Sequence, residues 1–246
     1  MKKLFIIQSN YIPWKGYFDA INSVDELILY DDMQYTKNDW RNRNKIKSAQ
    51  GYQWLTIPID VKGKLFQKIN QAKASEHYKG WRIKHWKTIQ INYAKSPYFK
   101  TYKDAFEYLY LGTNEMFLSK INYSFIRLIN SLLGITTPIR WSSEFILNEE
   151  RNERLVELCK ETSATDYYSG PAAKSYLNET LFKQAGIKVH YLNYSGYPSY
   201  KQLYGSFIHE VSIIDLLFNM GPESKNYMKS FSGIPMIEST DIHAST

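Results

Sequence analysis

The sequence predicts an α/β fold, a Rossmann-like, doubly wound and mainly parallel sheet of about five strands that carries an all-helical insertion. Short apolar runs alternate with segments of helical spacing at both ends of the chain, as in parallel strands joined by helices. The middle, from about residue 78 to residue 134, has helical spacing throughout. With 246 residues, 43% of them hydrophobic, the chain can bury a full core, which excludes disordered, collagen-like and coiled-coil proteins.

Residues 1–36 predict the first half of this sheet. Residues 4–9 (LFIIQS) form a short apolar run typical of a buried strand, WKGYFDAINS has apolar residues at helical spacing, and Leu27 to Tyr30 form a second apolar run. Strand, helix and strand within roughly 35 residues indicate a βαβ unit, whose strands are expected to be parallel neighbours with a right-handed crossover.

Residues 37–135 predict a basic loop with a hairpin, followed by the helical insertion. The segment NDWRNRNKIK is rich in loop-forming residues, and the alternating QWLTIPIDV predicts an antiparallel hairpin at the edge of the sheet. Pro97 and the stretch from Gly112 to Asn114 then divide the helical region into three helices.

Residues 136–225 repeat the alternation and predict the second half of the sheet. The strands are expected in PIRWSSEF, DYYSG and IKVHYLNY. Helices are expected in NEERNERLVELCKETS with Asn148 as N-cap, in AAKSYLNETLFKQAG closed by Gly186, and in EVSIIDLLFNMG ending at Gly221. Residues 226–246 are interpreted as a C-terminal extension, with a surface course expected from Ser230 onward.

The net charge of +7 is concentrated in one part of the chain. Between Lys37 and Lys103 there are 16 basic and 3 acidic residues, a local charge of +13, whereas the rest of the chain has 15 basic and 21 acidic residues. A solvated lysine-rich surface is one interpretation of this segment, and an anion-binding site is the other.

The single cysteine, Cys159, excludes an intramolecular disulfide and a cysteine-based zinc site. Its place on the apolar stripe of its helix favours a core residue over a nucleophile. The apolar run at the N-terminus is shorter than that of a signal peptide, and no stretch approaches the roughly 20 apolar residues that cross a bilayer. We therefore expect a cytoplasmic protein without membrane insertion.

The loop after the first strand is the first candidate binding site, because ligands of parallel sheets bind at the carboxyl ends of the strands. It concentrates amide, aromatic and glycine residues, and a well-packed turn is the alternative interpretation. The candidates are Gln8, Asn10, Tyr11, Trp14, Gly16 and Tyr17. The dinucleotide-binding motif GxGxxG and the Walker phosphate loop are both absent, which disfavours ordinary NAD and P-loop chemistry.

Asp31 and Asp32 end the second strand and are followed by Gln34 and Tyr35. Neighbouring side chains on a strand point to opposite faces, so we expect at most one aspartate to face the first loop. That aspartate is a candidate general base for an amine or a candidate magnesium ligand, and helix capping or pairing with arginines is the alternative. The five histidines show no metal-binding spacing, so no resident metal is predicted.

A basic and amide-rich cluster follows closely in the sequence. Its members supply many hydrogen-bond donors suited to phosphate or carboxylate oxygens, namely Arg41, Asn42, Arg43 and Asn44. Interleaved Trp40, Tyr52 and Trp54 are suited to stacking on a base, which leaves nucleic-acid binding open, although no RNA-binding motif accompanies them.

Two weaker candidates lie elsewhere in the sequence. Lys84 and His85 sit on a basic helix and are candidates for contact with an anion, a surface or core-edge histidine being the alternative. Ser169 and Gly170 follow a strand and are candidates to donate backbone N–H groups to a ligand, or they form only a turn.

Taken together and in order, six segments resemble the WbqC-like proteins found in gene clusters for O-antigen and other surface polysaccharides. They are IIQSNYIPWKGYFDAI, YDDMQYTKNDWRNRNKIK, KHWKTIQINYAKSPYF, SSEF, LCKETSATDYYSGPAAKSYL and VSIIDLLFNMG. The similarity covers roughly residues 3 to 225. Many members have QPNY or QPYF in the first segment, whereas this chain has Gln8-Ser9-Asn10-Tyr11 without the proline.

The resemblance implies transfer of glycine or a similar amino-acyl group onto the amine of a nucleotide-linked amino sugar. In that reaction Arg41 and Arg43 would hold the diphosphate, and Asp31 or Asp32 would act as the base. The donor is left open between an acyl group activated by ATP and magnesium, a charged tRNA and an acyl-carrier protein. The alternative hypotheses are a non-catalytic binding or scaffold protein of polysaccharide assembly and an RNA-binding module; the oligomeric state is not predicted.

Overall fold

The computed structural model describes residues 1–78 and 80–237. The strands in these residues are β1 (Lys3–Ile7), β2 (Glu26–Leu29), β3 (Arg43–Ser48), β4 (Gly51–Thr56), β5 (Ile139–Trp141), β6 (Asp166–Ser169) and β7 (Lys188–Tyr191). The α-helices are α1 (Lys15–Asn22), α2 (Trp81–Tyr93), α3 (Phe99–Leu111), α4 (Leu118–Leu133), α5 (Arg151–Glu161), α6 (Glu179–Gln184) and α7 (Ile213–Met220).

Five of the strands form one parallel sheet in the order β5-β2-β1-β6-β7. The first strand lies at the centre, paired in parallel with β2 on one side and β6 on the other. The chain therefore builds the sheet outward in one direction and then in the other, which confirms the predicted doubly wound fold. The direction reverses between β1 and β6, and a crevice for ligands is expected beyond the carboxyl ends of the strands there.

The two faces of the sheet are buried against different sets of helices. Side chains alternate between faces along each strand. Phe5 and Leu29 face a large hydrophobic cluster that includes residues of α1, α2, α3, α4 and α7. Leu4 and Ile28 face a smaller cluster formed with α5 and α6. This burial on both faces explains why the strands are short apolar runs and do not alternate with polar residues.

The predicted hairpin forms, but its predicted place at the edge of the sheet is wrong. Strands β3 and β4 pair with each other in a separate two-stranded sheet. Tertiary hydrogen bonds hold this hairpin elsewhere: the backbone carbonyl of Lys45 accepts from the N–H of Ser212, and the N–H of Lys47 donates to the Tyr93 hydroxyl at 2.8 Å each.

The three predicted helices of the middle region are confirmed as α2, α3 and α4. The last of them ends at Gly134, whose φ of +69° is the left-handed conformation that favours glycine at a helix C-terminus. These helices share one hydrophobic cluster with α1, α7 and residues of the parallel sheet. The division of the chain at residues 36, 135 and 225 stays a prediction.

Two local predictions for the second half are wrong. Glu150, and not Asn148, caps α5, since its carboxylate accepts from the backbone N–H groups of Asn152 and Glu153. The expected continuous helix over residues 172–186 is divided into a 3-10 turn at Pro171–Ser175 and the short α6. Asn178 begins α6 by accepting a hydrogen bond from the Thr180 N–H at 3.2 Å, which restarts the helix.

The described part of the C-terminal extension runs over the surface but is anchored at both ends. Met228 and Met236 are buried, and Ile237 forms a β-bridge with Leu192. Asp19 accepts from the backbone N–H groups of Lys229 and Ser230 at 3.0 and 2.9 Å. The remainder of the predicted extension, residues 238–246, lies outside the described residues.

Cys159 is fully buried, as predicted for a core residue, and burial raises the pKa of its thiol to about 12. None of the helices in residues 1–78 and 80–237 is long and apolar enough to span a bilayer.

Candidate functional site

A cleft of about 600 Å³ opens beyond the carboxyl end of β1, beside the point where the strand order reverses. It is bounded by the loop after β1, the start of the hairpin and the irregular segment between β7 and α7. The lining residues are Asn10, Pro13, Trp14, Trp40, Asn44, Tyr194, Ser195, Gly196, Tyr197, His209 and Glu210. A volume of this size suits a drug-sized or nucleotide-sized ligand.

Aromatic rings form much of the cleft wall. The Trp14 ring makes edge contacts with Tyr194 and Tyr197, at centroid distances of 5.2 and 5.5 Å. Trp40 also lines the cleft and is 41% exposed. Trp14 and Tyr194 are partly exposed, whereas Tyr197 is buried, and partly exposed rings held by their neighbours are suited to stacking on a planar or sugar-like ligand.

The loop after β1 has a strained backbone at the edge of the cleft. Ile12 has a φ of +37°, which is unfavourable for a β-branched residue and costs about 1–3 kcal/mol. The buried amide of Asn44 donates to the carbonyls of Tyr11 and Ile12 at 3.0 and 2.9 Å and so holds this conformation. Strain maintained by a dedicated side chain is typical of binding and catalytic loops.

Gly16 is needed for the position of the Trp14 ring. A Cβ atom at Gly16 would lie 2.3 Å from the nearest ring atom of Trp14, far inside van der Waals contact. The group that approaches Gly16 closely is thus an indole of the same loop, and a ligand-binding role for Gly16 stays a prediction.

We expect Gly16→Ala to displace the Trp14 ring, lower the free energy of unfolding by about 1–3 kcal/mol and weaken ligand binding in the cleft. Gly80→Ala is the matched control, because among the described residues, its chain neighbours and its own helix aside, no atom lies within 4 Å of a Cβ built there. Urea unfolding and tryptophan fluorescence measure the two effects. Equal stability of Gly16→Ala and wild type would contradict the proposed contact.

Arg41 joins the two amide side chains of the β1 loop. Its Nη1 donates to Oδ1 of Asn10 at 2.8 Å, and its Nη2 donates to Oε1 of Gln8. Asp39 lies 3.7 Å from the same Nη2, so the guanidinium is also paired with a carboxylate. Three residues predicted to bind ligand are thus brought together, and the Asn10 Nδ2 group keeps no acceptor among the described residues.

Asp31 and Asp32 point to opposite sides, as predicted. Buried Asp31 accepts from the Ser9 N–H at 2.7 Å and from the Ser119 hydroxyl of α4. Burial raises the pKa of this carboxyl, although the hydrogen bonds oppose the shift. Asp32 is paired with Arg154 and accepts from Ser142. Neither carboxylate is among the residues that line the cleft, and their catalytic role stays a prediction.

Tyr11 and His85 lie in the interior. The Tyr11 hydroxyl is 2.9 Å from Nδ1 of His85 and 2.6 Å from the Tyr110 hydroxyl. Nε2 of His85 is 3.1 Å from the carbonyl oxygen of Thr56, and burial lowers the pKa of this histidine to about 3. The neutral imidazole of His85, hydrogen-bonded to Tyr11, supports the loop after β1. It does not fit the predicted contact of His85 with an anion.

The other predicted residues divide between supporting and peripheral positions. Tyr17 donates to the carbonyl of Gln8 at 3.2 Å, and buried Asn42 donates to that of Ile57 at 2.9 Å. Arg43 lies on the outer face of the hairpin, which is the face that also carries Trp54, and it is not among the residues that line the cleft. The remaining five are apart from the cleft lining: Gln34 and Tyr35 beside residues 65–67, Lys84 exposed on α2, and Ser169 and Gly170 after β6.

Sequence analysis missed the contribution of the segment between β7 and α7, which supplies six lining residues including His209 and Glu210. Residues 192–212 lack helix and strand apart from an isolated bridge at Leu192, and irregular connections of this length are uncommon unless they are functional. The length of this irregular segment and its tyrosines are the features of the sequence that could have indicated its role.

Lys15, also missed, is buried beneath the same segment. Its Nζ donates to the carbonyl of Pro198 at 3.0 Å and lies 4.8 Å from the centroid of the Tyr197 ring. Burial lowers the pKa of this amine to about 8, and the charge of Asp19 only partly opposes the shift.

Because Lys15 titrates near 8 in the folded protein and near 10.5 in the unfolded chain, the unfolded chain binds more protons between these values. Stability is therefore expected to rise with pH in this window, by up to about 1.4 kcal/mol per pH unit from this group. Urea unfolding at pH 8 and pH 9.5 should show a smaller rise for Lys15→Met than for wild type. Lys160→Met, on the exposed side of α5, should keep the wild-type rise; equal slopes in all three proteins would refute the assignment.

Comparison with known proteins gives a family and a relative. The family model that matches, over residues 8–227, is that of the WbqC-like protein family. The chain is 46% identical over 229 residues to a protein of Mycobacterium tuberculosis (strain ATCC 25618 / H37Rv) named "Uncharacterized protein Rv1507c", covering 93% of this chain and 98% of that one. No solved structure matches the chain.

Proposed function

The chain belongs to the WbqC-like protein family, and from this premise we propose that it transfers an amino-acyl group of the glycyl type onto the amine of a nucleotide-linked amino sugar in surface-polysaccharide biosynthesis. The observation that carries the proposal is the aromatic cleft beyond β1, with cations beside its lining. Arg41 binds Asn10 at 2.8 Å, and Lys45 lies 3.5 Å from Glu210. Rings for a base or sugar beside cations for a diphosphate match a sugar nucleotide.

The reaction needs a group that takes a proton from the amine as it attacks the acyl carbon. We assign this role to His209, which lines the cleft, in preference to Asp31, whose carboxylate is buried and already engaged. Partial burial, with a smaller effect of the Lys15 charge, lowers the pKa of His209 against the opposing effect of the Glu210 charge, and this direction favours the neutral ring that can accept a proton. The new C–N bond forms as the bond from the acyl carbon to its carrier breaks, and the proton passes to the departing group.

The test is to incubate the protein with a panel of nucleotide-linked amino sugars and three glycyl donors, and to detect the amide product by mass. The donors are glycine with ATP and magnesium, glycyl-tRNA and a glycyl carrier protein. Absence of product with all three donors, despite binding of a sugar nucleotide, would favour a non-catalytic binding protein and refute the proposed transfer.

Loss of His209 separates chemistry from binding. His209→Gln is expected to lower kcat by about 10²- to 10⁴-fold with little change in affinity for the sugar nucleotide. His77→Gln changes an exposed histidine outside the cleft and should retain wild-type kcat. Unchanged kcat in His209→Gln would remove this residue from the mechanism.

A further inference from the structure

The outer face of the hairpin alternates cations with aromatic rings. Strands β3 and β4 pair so that Lys45 is opposite Trp54, and opposed side chains lie on the same face. The Arg43 guanidinium lies 4.3 Å from the centroid of the Trp54 ring, and the Lys45 ammonium lies 4.9 Å from that of Tyr52. These contacts hold positive charge among flat rings at the surface.

Several of these rings are open to solvent. Tyr52 is 51% exposed, Trp40 is 41% exposed, and Tyr78 beyond the hairpin is 68% exposed. The rings of Trp40 and Tyr52 both contact Trp54, at centroid distances of 5.5 and 6.4 Å. Aromatic faces left in water next to cations are suited to bases of a single-stranded nucleic acid, which stack without regard to sequence.

This face connects two cavities. Trp40 lines the cleft already described, whereas Trp54, whose ring lies 5.5 Å from that of Trp40, lines a second cavity of about 610 Å³ together with Tyr78 and Lys84. A single-stranded nucleic acid that lies across the hairpin from the second cavity would therefore reach the cleft with its end. The surrounding segment, from Lys37 to Lys103, also has the local excess of 13 positive charges, which complements a phosphate backbone.

We infer that the donor of the amino-acyl group is an aminoacylated RNA, whose single-stranded 3′ end lies across this face. Its bases stack on Tyr52, its phosphates pair with Arg43 and Lys84, and its terminal ester enters the cleft. The inference rests on the proposed function and specifies its donor. An acidic carrier protein would also complement the lysines, but it makes no use of a row of exposed rings.

The chemistry balances without a further reactant. The sugar amine attacks the ester carbonyl, a C–N bond forms, and the C–O bond to the ribose breaks. The proton lost by the amine is delivered to the departing ribose oxygen, which leaves as a hydroxyl. Because the ester is already activated, neither ATP nor magnesium takes part in the transfer.

Binding tests the surface directly. The probes are two fluorescein-labelled RNA hairpins, one with a single-stranded 3′ end and one blunt. The full chain is expected to bind the first more tightly, with affinity that falls as salt is raised. Tyr52→Ser should weaken this binding by about 5- to 100-fold. Tyr108→Ser, a control on α3 where the residue is 64% exposed, should leave it unchanged. Equal binding of both hairpins, or no effect of Tyr52→Ser, overturns the inference.

A transfer assay tests whether an aminoacylated RNA is the donor. Its outcomes distinguish a wrong donor from a wrong proposed function. Glycyl-tRNA should yield the amide without ATP, and Tyr52→Ser should reduce that yield while sugar-nucleotide binding stays at the wild-type level. Product from glycine with ATP or from a glycyl carrier protein, but not from glycyl-tRNA, would overturn the RNA donor and leave the proposed transferase standing. Absence of product from every donor would overturn both.

Discussion

Replacing Arg41 with alanine is expected to lower affinity for the nucleotide-linked amino sugar by about 10- to 100-fold, which corresponds to the loss of one or two charge-assisted hydrogen bonds. The guanidinium holds the side chains of both Gln8 and Asn10, and Asn10 lines the cleft. Without it, the two amides lose their common donor and the binding surface of the β1 loop loses its fixed geometry. Titration calorimetry of wild type and variant with the sugar nucleotide measures the change.

Two further variants define the cause of that loss. Arg41→Lys keeps the charge but offers one compact ammonium in place of a planar fork, so it should recover only part of the affinity. Arg151→Ala removes an exposed arginine that lies over Tyr176, away from the cleft, and should bind as wild type does. Full recovery in Arg41→Lys would show that charge alone matters, and wild-type affinity in Arg41→Ala would contradict a role for this network.

Replacing Asp31 with alanine is expected to lower the free energy of unfolding by about 3–4 kcal/mol, the largest stability effect we predict. Asp31 is 1% exposed, and its carboxylate accepts from the backbone of the β1 loop at Ser9 and from Ser119 on α4. Alanine leaves both donors buried without an acceptor, and each such loss costs about 1–3 kcal/mol. Urea unfolding at neutral pH measures the difference.

Asp31→Asn separates a supporting role from catalysis. If Asp31 positions the β1 loop, as we propose, kcat at a temperature where the variant is folded should fall by less than about tenfold, far below the effect expected for loss of a general base. A folded Asp31→Asn protein with the full loss of a general base would return the role of proton acceptor to Asp31. Asp32→Ala is the comparison, because its partly exposed pair with Arg154 should contribute less to stability.

Those features of the fold that depend on local periodicity were predictable from the sequence. Short apolar runs on both sides of a helical segment indicate strands buried on two faces, and a strand, a helix and a strand within roughly 35 residues indicate two parallel neighbours. The expectation that at most one of Asp31 and Asp32 faces the first loop holds, although both residues lie in a turn beyond the end of β2 at Leu29. Predictions failed where polar side chains near helix ends decided the outcome, as when Glu150 replaced Asn148 as the cap of α5.

Of the candidate site, only the side formed by the loop after β1 could be predicted from the sequence. The loop from Gln8 to Tyr17 could be chosen because it follows a central strand, and its link to Arg41 joins two segments that were both singled out. No pattern in the sequence indicated that Tyr194 and Tyr197 would meet Trp14, since about 180 residues separate them along the chain.

By itself, the sequence determined the α/β class, the choice of a candidate binding loop after the first strand and the concentration of positive charge between residues 37 and 103. These properties arise from neighbouring residues, so they can be identified in a short stretch of chain. The tertiary structure alone decided that the hairpin stands apart from the main sheet, that Asp31 is buried beneath the loop, and that His209 faces the cleft lined by Trp14. Such contacts depend on how distant segments pack around a common core, and periodicity within a segment has no information about its distant partners.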